Sequence, residues 1–274
     1  MKISRLLAFV AVLGVAYVFG VPGLDKVWYS LKPSETFPAA EYQFEIQRLP
    51  GFDRPVGATT YEPVDVPADS HTLRHKFVER EWFGYSPDSF GAGRPAIVLL
   101  HGSGRSGLAM IDMWRKLADE KGLVLIAPNS FKETGWTYQN DGPAFLDKMI
   151  EAAAKEYPVD MEKIFVFGHS AGAVFSQMLA ERTDGPWKAV AAHAGNMPVD
   201  WLSGASGELP MLFLIGDKDG LFAMDQAKRS AEAFAKAGHP TQLVALEGHT
   251  HWYYQKAHAI NGKAWDFFEE SLTP

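Results

Sequence analysis

Ile164-Phe165-Val166-Phe167-Gly168-His169-Ser170-Ala171-Gly172 decides how this chain is read. Its four leading apolar residues are too few for a helix and are closed by glycine, which is the signature of a buried strand. Ala173 to Arg182 reads as a helix. Strand, Gly-x-Ser-x-Gly turn, then helix is the context of a nucleophile elbow, in which a strained turn lifts the central serine above the sheet. The flanking glycines matter because larger side chains would collide where the turn doubles back. A serine hydroxyl is a poor nucleophile at neutral pH unless a base, itself oriented by an acid, lies beside it. A catalytic role for Ser170 therefore requires both partners elsewhere in the chain.

Outward from the elbow the pattern is regular. Ala96 to Leu100, Leu123 to Ala127, Ala189 to Ala192, Met211 to Ile215 and Leu243 to Leu246 are short apolar runs that read as buried strands. Between and after them lie helices: Leu108 to Lys121 with Leu108, Ile111, Trp114, Leu117 and Ala118 on one face, Pro143 to Tyr157, Met224 to Ala237, and Ala257 to Glu270. Strands alternating with helices imply an α/β protein with a mostly parallel central sheet and helices on both faces. In such sheets ligands sit beyond the carboxyl ends of the strands. Ahead of this block, His71 to Val78 and Arg80 to Tyr85 read as an antiparallel edge pair, and the Pro-rich residues 22–70 as a linker with irregular structure or short edge strands.

The partners a serine needs appear at strand ends, in order. An acid follows Gly216 in the turn Asp217-Lys218-Asp219. Asp219 is the better candidate by its Gly-x-x-Asp spacing, and Asp217 suits a turn-stabilising role. A base follows in Gly248-His249-Thr250-His251-Trp252, where either histidine is available. His-x-His also resembles part of a metal site, but no third ligand with suitable spacing accompanies it, and none is expected. The loop His101-Gly102-Ser103-Gly104-Arg105-Ser106-Gly107 is small enough for backbone to approach a substrate. The backbone N–H groups of Ser103 and Ala171 are the expected oxyanion donors. Each such donor is worth ~3 kcal/mol of transition-state stabilisation.

Composition excludes other chemistries. The 274 residues carry a formal net charge of −7 with 47% hydrophobic and 22% charged residues, so the chain has the make-up of a globular protein without a polyanion-binding surface, and nucleic acid is not an expected partner. With no cysteine, a thiol nucleophile and a disulfide framework are both ruled out. Lys2 and Arg5 precede an uncharged apolar run from Leu6 to Val21, which reads as a signal peptide or N-terminal membrane anchor over residues 1–21 and implies export.

Taken together, these motifs resemble the α/β-hydrolase fold over about residue 72 to the end, and within it the secreted polyhydroxybutyrate depolymerase and feruloyl esterase group. Leu100-His101-Gly102, Asp141 to Leu146, Val159-Asp160, the elbow, Gly216-x-x-Asp219 and the His-Trp-Tyr-Tyr ending carry the resemblance. It implies a catalytic domain over 71–274, a Ser170–His251–Asp219 triad acting on aryl or polyhydroxyalkanoate-type esters through an acyl-enzyme, and no cofactor. His251 is preferred because related esterases carry the catalytic histidine in a Gly-x-x-His-x-Tyr-Tyr segment. Only Gly195 to Leu209 separates two of the strands, so no large lid domain is expected over the site. His101, Trp136 and Trp252 are expected to bind substrate, with Tyr138, Trp201 and Phe222 as further wall candidates. An exported peptidase of the same fold and a non-catalytic binding protein retaining it are the alternatives.

Overall fold

The structure, a computed structural model, describes residues 43–53, 61–203 and 207–272. The expected leader at 1–21 and the greater part of the 22–70 segment lie outside those residues. Nine strands form one sheet: β1 (Phe44–Leu49), β2 (Asp69–His75), β3 (Val78–Tyr85), β4 (Arg94–Leu100), β5 (Val124–Pro128), β6 (Val159–His169), β7 (Trp187–His193), β8 (Met211–Gly216) and β9 (Thr241–Leu246), in the spatial order β1-β9-β8-β7-β6-β4-β5-β3-β2. The strands from β9 to β5 pair in parallel, and β3 alone runs against them, between β5 and β2. The chain passes from β4 outward to β5 and then returns to β6 on the other side of β4. That reversal of winding places a crevice at the carboxyl ends of β4 and β6, where open α/β sheets bind ligands.

Alternation along the strands builds two cores. Ala96, Val98 and Leu100 of β4 and Ile164 and Val166 of β6 face α2 (Pro143–Glu156), α3 (Ala171–Arg182) and α4 (Met224–Lys236). Ile97, Leu99, Phe165 and Phe167 face α1 (Gly107–Lys121) and α5 (Ala257–Glu270). Trp114, Phe165, Phe167 and Phe268 are fully buried on that second face, each contributing about 2–3 kcal/mol by removal from water. Helix ends follow local rules: Ser106 Oγ accepts from Ala109 N–H at the start of α1, and Gly122 in the left-handed region ends it.

One feature sharpens the sequence reading of short edge strands within 22–70, and another differs from it. Residues 44–49 form a true strand, pairing in parallel with β9 in register Phe44↔Thr241 to Leu49↔Leu246. The sheet therefore begins well before residue 71, because a partner nearly two hundred positions away leaves no local trace in a Pro-rich stretch. β6 also starts earlier than its apolar run, since Val159 to Lys163 mixes apolar and charged residues and is exposed or half-exposed. The connection from β7 to β8 carries only the 3₁₀ turn Val199–Trp201 among the described residues.

A buried ion pair fixes the loop after β5. Arg80 and Asp141 meet at 2.7 Å with side chains 5% and 0% exposed. Asp141 also accepts from Phe131 N–H and Thr137 N–H, both at 2.7 Å, while Arg80 donates to the Asn129 and Asn140 carbonyls and lies over the Phe145 ring. Removing one partner strands the other charge in the interior. Arg80→Met is therefore expected to lower unfolding stability by about 3–5 kcal/mol, measured as a urea midpoint shift at constant m-value. A loss under about 1 kcal/mol would show that water enters and solvates Asp141.

Candidate active site

The elbow is held by backbone packing. Ser170 adopts φ 54°, ψ −115° between β6 and α3, a strained conformation for a residue with a side chain. A Cβ on Gly168 would lie 2.2 Å from the Gly172 carbonyl oxygen, and one on Gly172 would lie 2.0 Å from that of Leu100. Only glycine fits at either position. Ser170 N–H donates to the His193 carbonyl (2.9 Å), and its own carbonyl takes Ala173 and Val174 N–H, so the serine caps α3 while remaining tied to β7.

The side chains converge as a line. Ser170 O–H donates to His251 Nε2 at 2.9 Å, and His251 Nδ1–H donates to Asp219 Oδ2 at 2.9 Å. The other carboxylate oxygen, Oδ1, accepts from Leu221 N–H (2.8 Å) and Phe222 N–H (3.0 Å). With both oxygens occupied and the side chain buried, Asp219 fixes the Nδ1–H tautomer and leaves the Nε2 lone pair for the serine. The Phe222 ring stacks on His251 at 5.8 Å. Two residues beyond His251, buried Tyr253 donates its hydroxyl to Asn261 of α5, and Asn261 Nδ2 reaches the Met113 carbonyl of α1. Asp217 does not enter this line: its Oδ1 accepts from Gly248 N–H at 2.8 Å, tying the acid turn to the histidine loop.

His249 points the opposite way, into the protein. It is fully buried, with Nδ1 at 3.0 Å from the Phe52 carbonyl and Nε2 at 3.1 Å from His193 Nε2. His193 Nδ1 in turn meets His169 Nδ1 at 3.0 Å. A carbonyl only accepts, so His249 carries its proton on Nδ1, His193 on Nε2 and His169 on Nδ1. Burial is the main cause that holds all three rings below the usual histidine range, with neighbouring imidazoles adding to it at His169 and His193. No motif announces this chain as a unit: His169 lies in the elbow, His249 stands two positions before His251, and His193 closes the apolar run of β7.

The loop after β4 closes the site. A Cβ on Gly102 would come within 3.2 Å of Ser170 Cβ, so this backbone borders Ser170 directly. His101 does not line the cleft as expected of a substrate contact. It is 1% exposed, accepts Ser130 N–H at Nε2 (3.0 Å) and so donates from Nδ1 to the Gly102 carbonyl (2.8 Å). Burial pulls its pKa down to about 4, keeping it neutral. Because the peptide is planar and trans, a Gly102 carbonyl turned toward His101 turns Ser103 N–H the other way. Neither Ser103 N–H nor Ala171 N–H has a partner among the described residues. Trp136 is likewise not a wall residue: fully buried, it stacks on Phe175 and donates Nε1–H to the His101 carbonyl (2.8 Å). Gly104 N–H to Glu133 and Ser103 Oγ–H to Thr134 complete the attachment to the loop that Asp141 anchors. Trp252 stays partly exposed beside His251, edge-on to Tyr254, and Trp201 and Tyr138 are half-buried.

Comparison with known proteins places the chain. The dienelactone hydrolase family model matches residues 83–266. Feruloyl esterase B of Talaromyces stipitatus is 28% identical over 141 residues, covering 47% of this chain and 39% of that enzyme; the match spans about two fifths of that relative's length. Among solved structures, esterase 2 of Thermogutta terrifontis matches with TM-score 0.59 at 20% identity, over 75% of this chain and 96% of that one. The poly(3-hydroxybutyrate) depolymerase of Bordetella parapertussis matches with TM-score 0.55 at 20% identity, over 72% and 89%. At those identities the structures establish a shared fold, the α/β-hydrolase fold.

Two outcomes follow from the buried rings. The unfolded chain binds protons on histidine near pH 6.5, whereas His101, His169, His193 and His249 stay neutral in the fold to lower pH. The unfolded state then holds more protons, so stability falls as pH drops below about 6.5, by up to about 1.4 kcal/mol per pH unit for each ring. Urea midpoints at pH 7.5 and 5.0 measure this, and a flat profile would mean the rings are charged in the fold. His101→Leu removes the clamp on the Gly102 peptide and, for the ester hydrolysis proposed below, is expected to lower kcat about 10²-fold with KM changed far less, in steady-state kinetics.

Proposed function

From the premise that this chain belongs to the dienelactone hydrolase family, we propose that it hydrolyses carboxylic esters with Ser170 as nucleophile, His251 as general base and acid, and Asp219 as the group orienting the imidazole. The observation that carries this reading is the unbroken hydrogen-bonded line from Ser170 through His251 to Asp219. Ser170 Oγ attacks the ester carbonyl carbon as its proton passes to His251 Nε2. The carbonyl oxygen becomes an oxyanion between Ser103 N–H and Ala171 N–H, at the amino end of α3 where the helix dipole also favours negative charge. The imidazolium, held by Asp219, returns the proton to the leaving alcohol as the carbon–oxygen bond breaks. Water, deprotonated by the same Nε2, then splits the acyl-enzyme and releases the acid and free Ser170.

The substrate class belongs to the same proposal. The similarity to a feruloyl esterase and the partly exposed aromatic residues Phe222, stacked on His251, and Trp252, next to it in sequence, support aryl esters of the feruloyl type. Hydroxyalkanoate oligomers are the second class to compare. The basic, then apolar, start of the sequence supports export.

A panel of p-nitrophenyl acyl esters, feruloyl esters and hydroxybutyrate oligomers tests the reading. Wild type should cleave at least one class, and Ser170→Ala should lose at least about 10³-fold. Equal rates for the two proteins would end the proposal. Fluorophosphonate labelling assigns the base: His251→Ala should abolish labelling of Ser170, whereas His249→Ala should retain it in folded protein. The reverse pattern would transfer the role to His249.

A further inference from the structure

The direction of the histidine chain has a consequence at its other end. The Phe52 carbonyl accepts from His249 Nδ1–H, His249 Nε2 accepts from His193 Nε2–H, and His193 Nδ1 accepts from His169 Nδ1–H. Every proton in the buried chain is thereby assigned, and the second nitrogen of His169 is left as a bare acceptor. That atom, Nε2, has no partner among the described residues and is not sealed from the surface, although the residue is only 5% exposed.

Its position follows from its neighbours. The ring is packed against His193 (centroids 5.0 Å apart), Tyr253 (4.8 Å) and His251 (5.4 Å). Its Nδ1 corner is spent on His193, so the Nε2–Cδ2 edge faces away from that bond. Cδ2 lies against Gly102, at the point where Ser170 Cβ also meets that glycine. The lone pair of Nε2 therefore lies next to the backbone that borders the nucleophile, between the Gly102–Arg105 loop and the His251–Tyr254 loop, which meet where Arg105 covers the Tyr254 ring at 5.1 Å. So little of this residue meets solvent that few waters can reach the acceptor. A bound molecule that brings a donor to it makes that hydrogen bond directly.

We infer that His169 is a specificity-determining residue whose Nε2 reads an O–H or N–H donor on the ester, a few bonds from the carbonyl. This rests on the ester-hydrolase reading and deepens it: the favoured substrates are hydroxy- or amino-bearing esters, and the Phe52–His249–His193 chain acts as the positioning group that keeps His169 an acceptor. Were the chain broken at His249, His193 would be free to donate from Nδ1, and His169 would then present N–H to the cleft in place of a lone pair.

Two ester series test this, with acid release followed at constant pH. On the acyl side they are methyl 3-hydroxypropanoate, methyl propanoate and methyl 3-methoxypropanoate; on the alcohol side, 2-hydroxyethyl, ethyl and 2-methoxyethyl acetate. The methoxy compounds keep the oxygen and remove only the donor. In at least one series the hydroxy ester should exceed both companions by about tenfold in kcat/KM, and His169→Phe should reduce that ratio to below about threefold whatever happens to the absolute rates. Ratios below about threefold in both series for wild type, or a preference that survives His169→Phe, overturn the inference. If His169→Phe does not fold, His249→Phe replaces it: loss of the preference supports the inference and retention overturns it. Failure of wild type to exceed Ser170→Ala on all six esters would overturn the ester-hydrolase reading itself, whereas hydrolysis without donor preference overturns only the role of His169.

Discussion

Backbone meets backbone at the carboxyl ends of β4, β6 and β7, with no room for a Cβ between them. The Gly172 position abuts the Leu100 carbonyl, Gly168 abuts Gly172, and Gly195 abuts Ser170. This close approach brings the turn of Ser170, the loop after β4 and the loop after β7 into one small volume. It also forces Ser170 into its positive φ, a local strain that the surrounding pairings outweigh. The triad and the donor loop depend on it, because neither carries long-range structure of its own.

Around that contact the protein solves a second problem, which is how to keep imidazoles beside His251 without adding positive charge. Each of three buried rings uses one nitrogen to donate and the other to accept. His101 bridges Ser130 and Gly102, His193 bridges His169 and His249, and His249 bridges His193 and Phe52. Burial makes the neutral forms the stable ones. In the proposed reaction a cation on His251 thus has Asp219 as its charged partner at hydrogen-bond distance, and no like charge on the neighbouring buried histidines.

The strands and helices of the parallel block were legible because each is a local pattern. Apolar runs such as Ala96 to Leu100 and the stripe Ile111–Trp114–Leu117–Ala118 announce their own burial. The elbow and Asp219 were legible because spacing and strand ends constrain them, while His251 was preferred to His249 only through the resemblance to related esterases. What was not legible depends on partners distant in sequence. Phe44 to Leu49 becomes a strand only because β9 lies beside it. His101 and Trp136 have the chemistry of substrate contacts, yet Ser130 and the Asp141-anchored loop turn them inward. The pair His249 and His251 differ by two positions on one loop. What separates them is that one reaches Phe52 and His193 and the other Asp219 and Ser170.

β1 also changes what the sheet offers to other molecules. Without it, β9 would present Thr241-Gln242-Leu243-Val244-Ala245-Leu246 as an open border, an apolar row of unpaired N–H and C=O groups of the kind that recruits a strand from a second chain. β1 occupies those groups and substitutes a border bearing Glu45, Gln47 and Arg48, exposed or half-exposed and polar, where a neighbouring copy would have to desolvate charge in order to pair. The same six residues that lead the chain to the Phe52 carbonyl therefore also guard the sheet against growing into an aggregate. A shortened chain beginning after them would lose colloidal stability together with the strand that holds Phe52 beside its histidines.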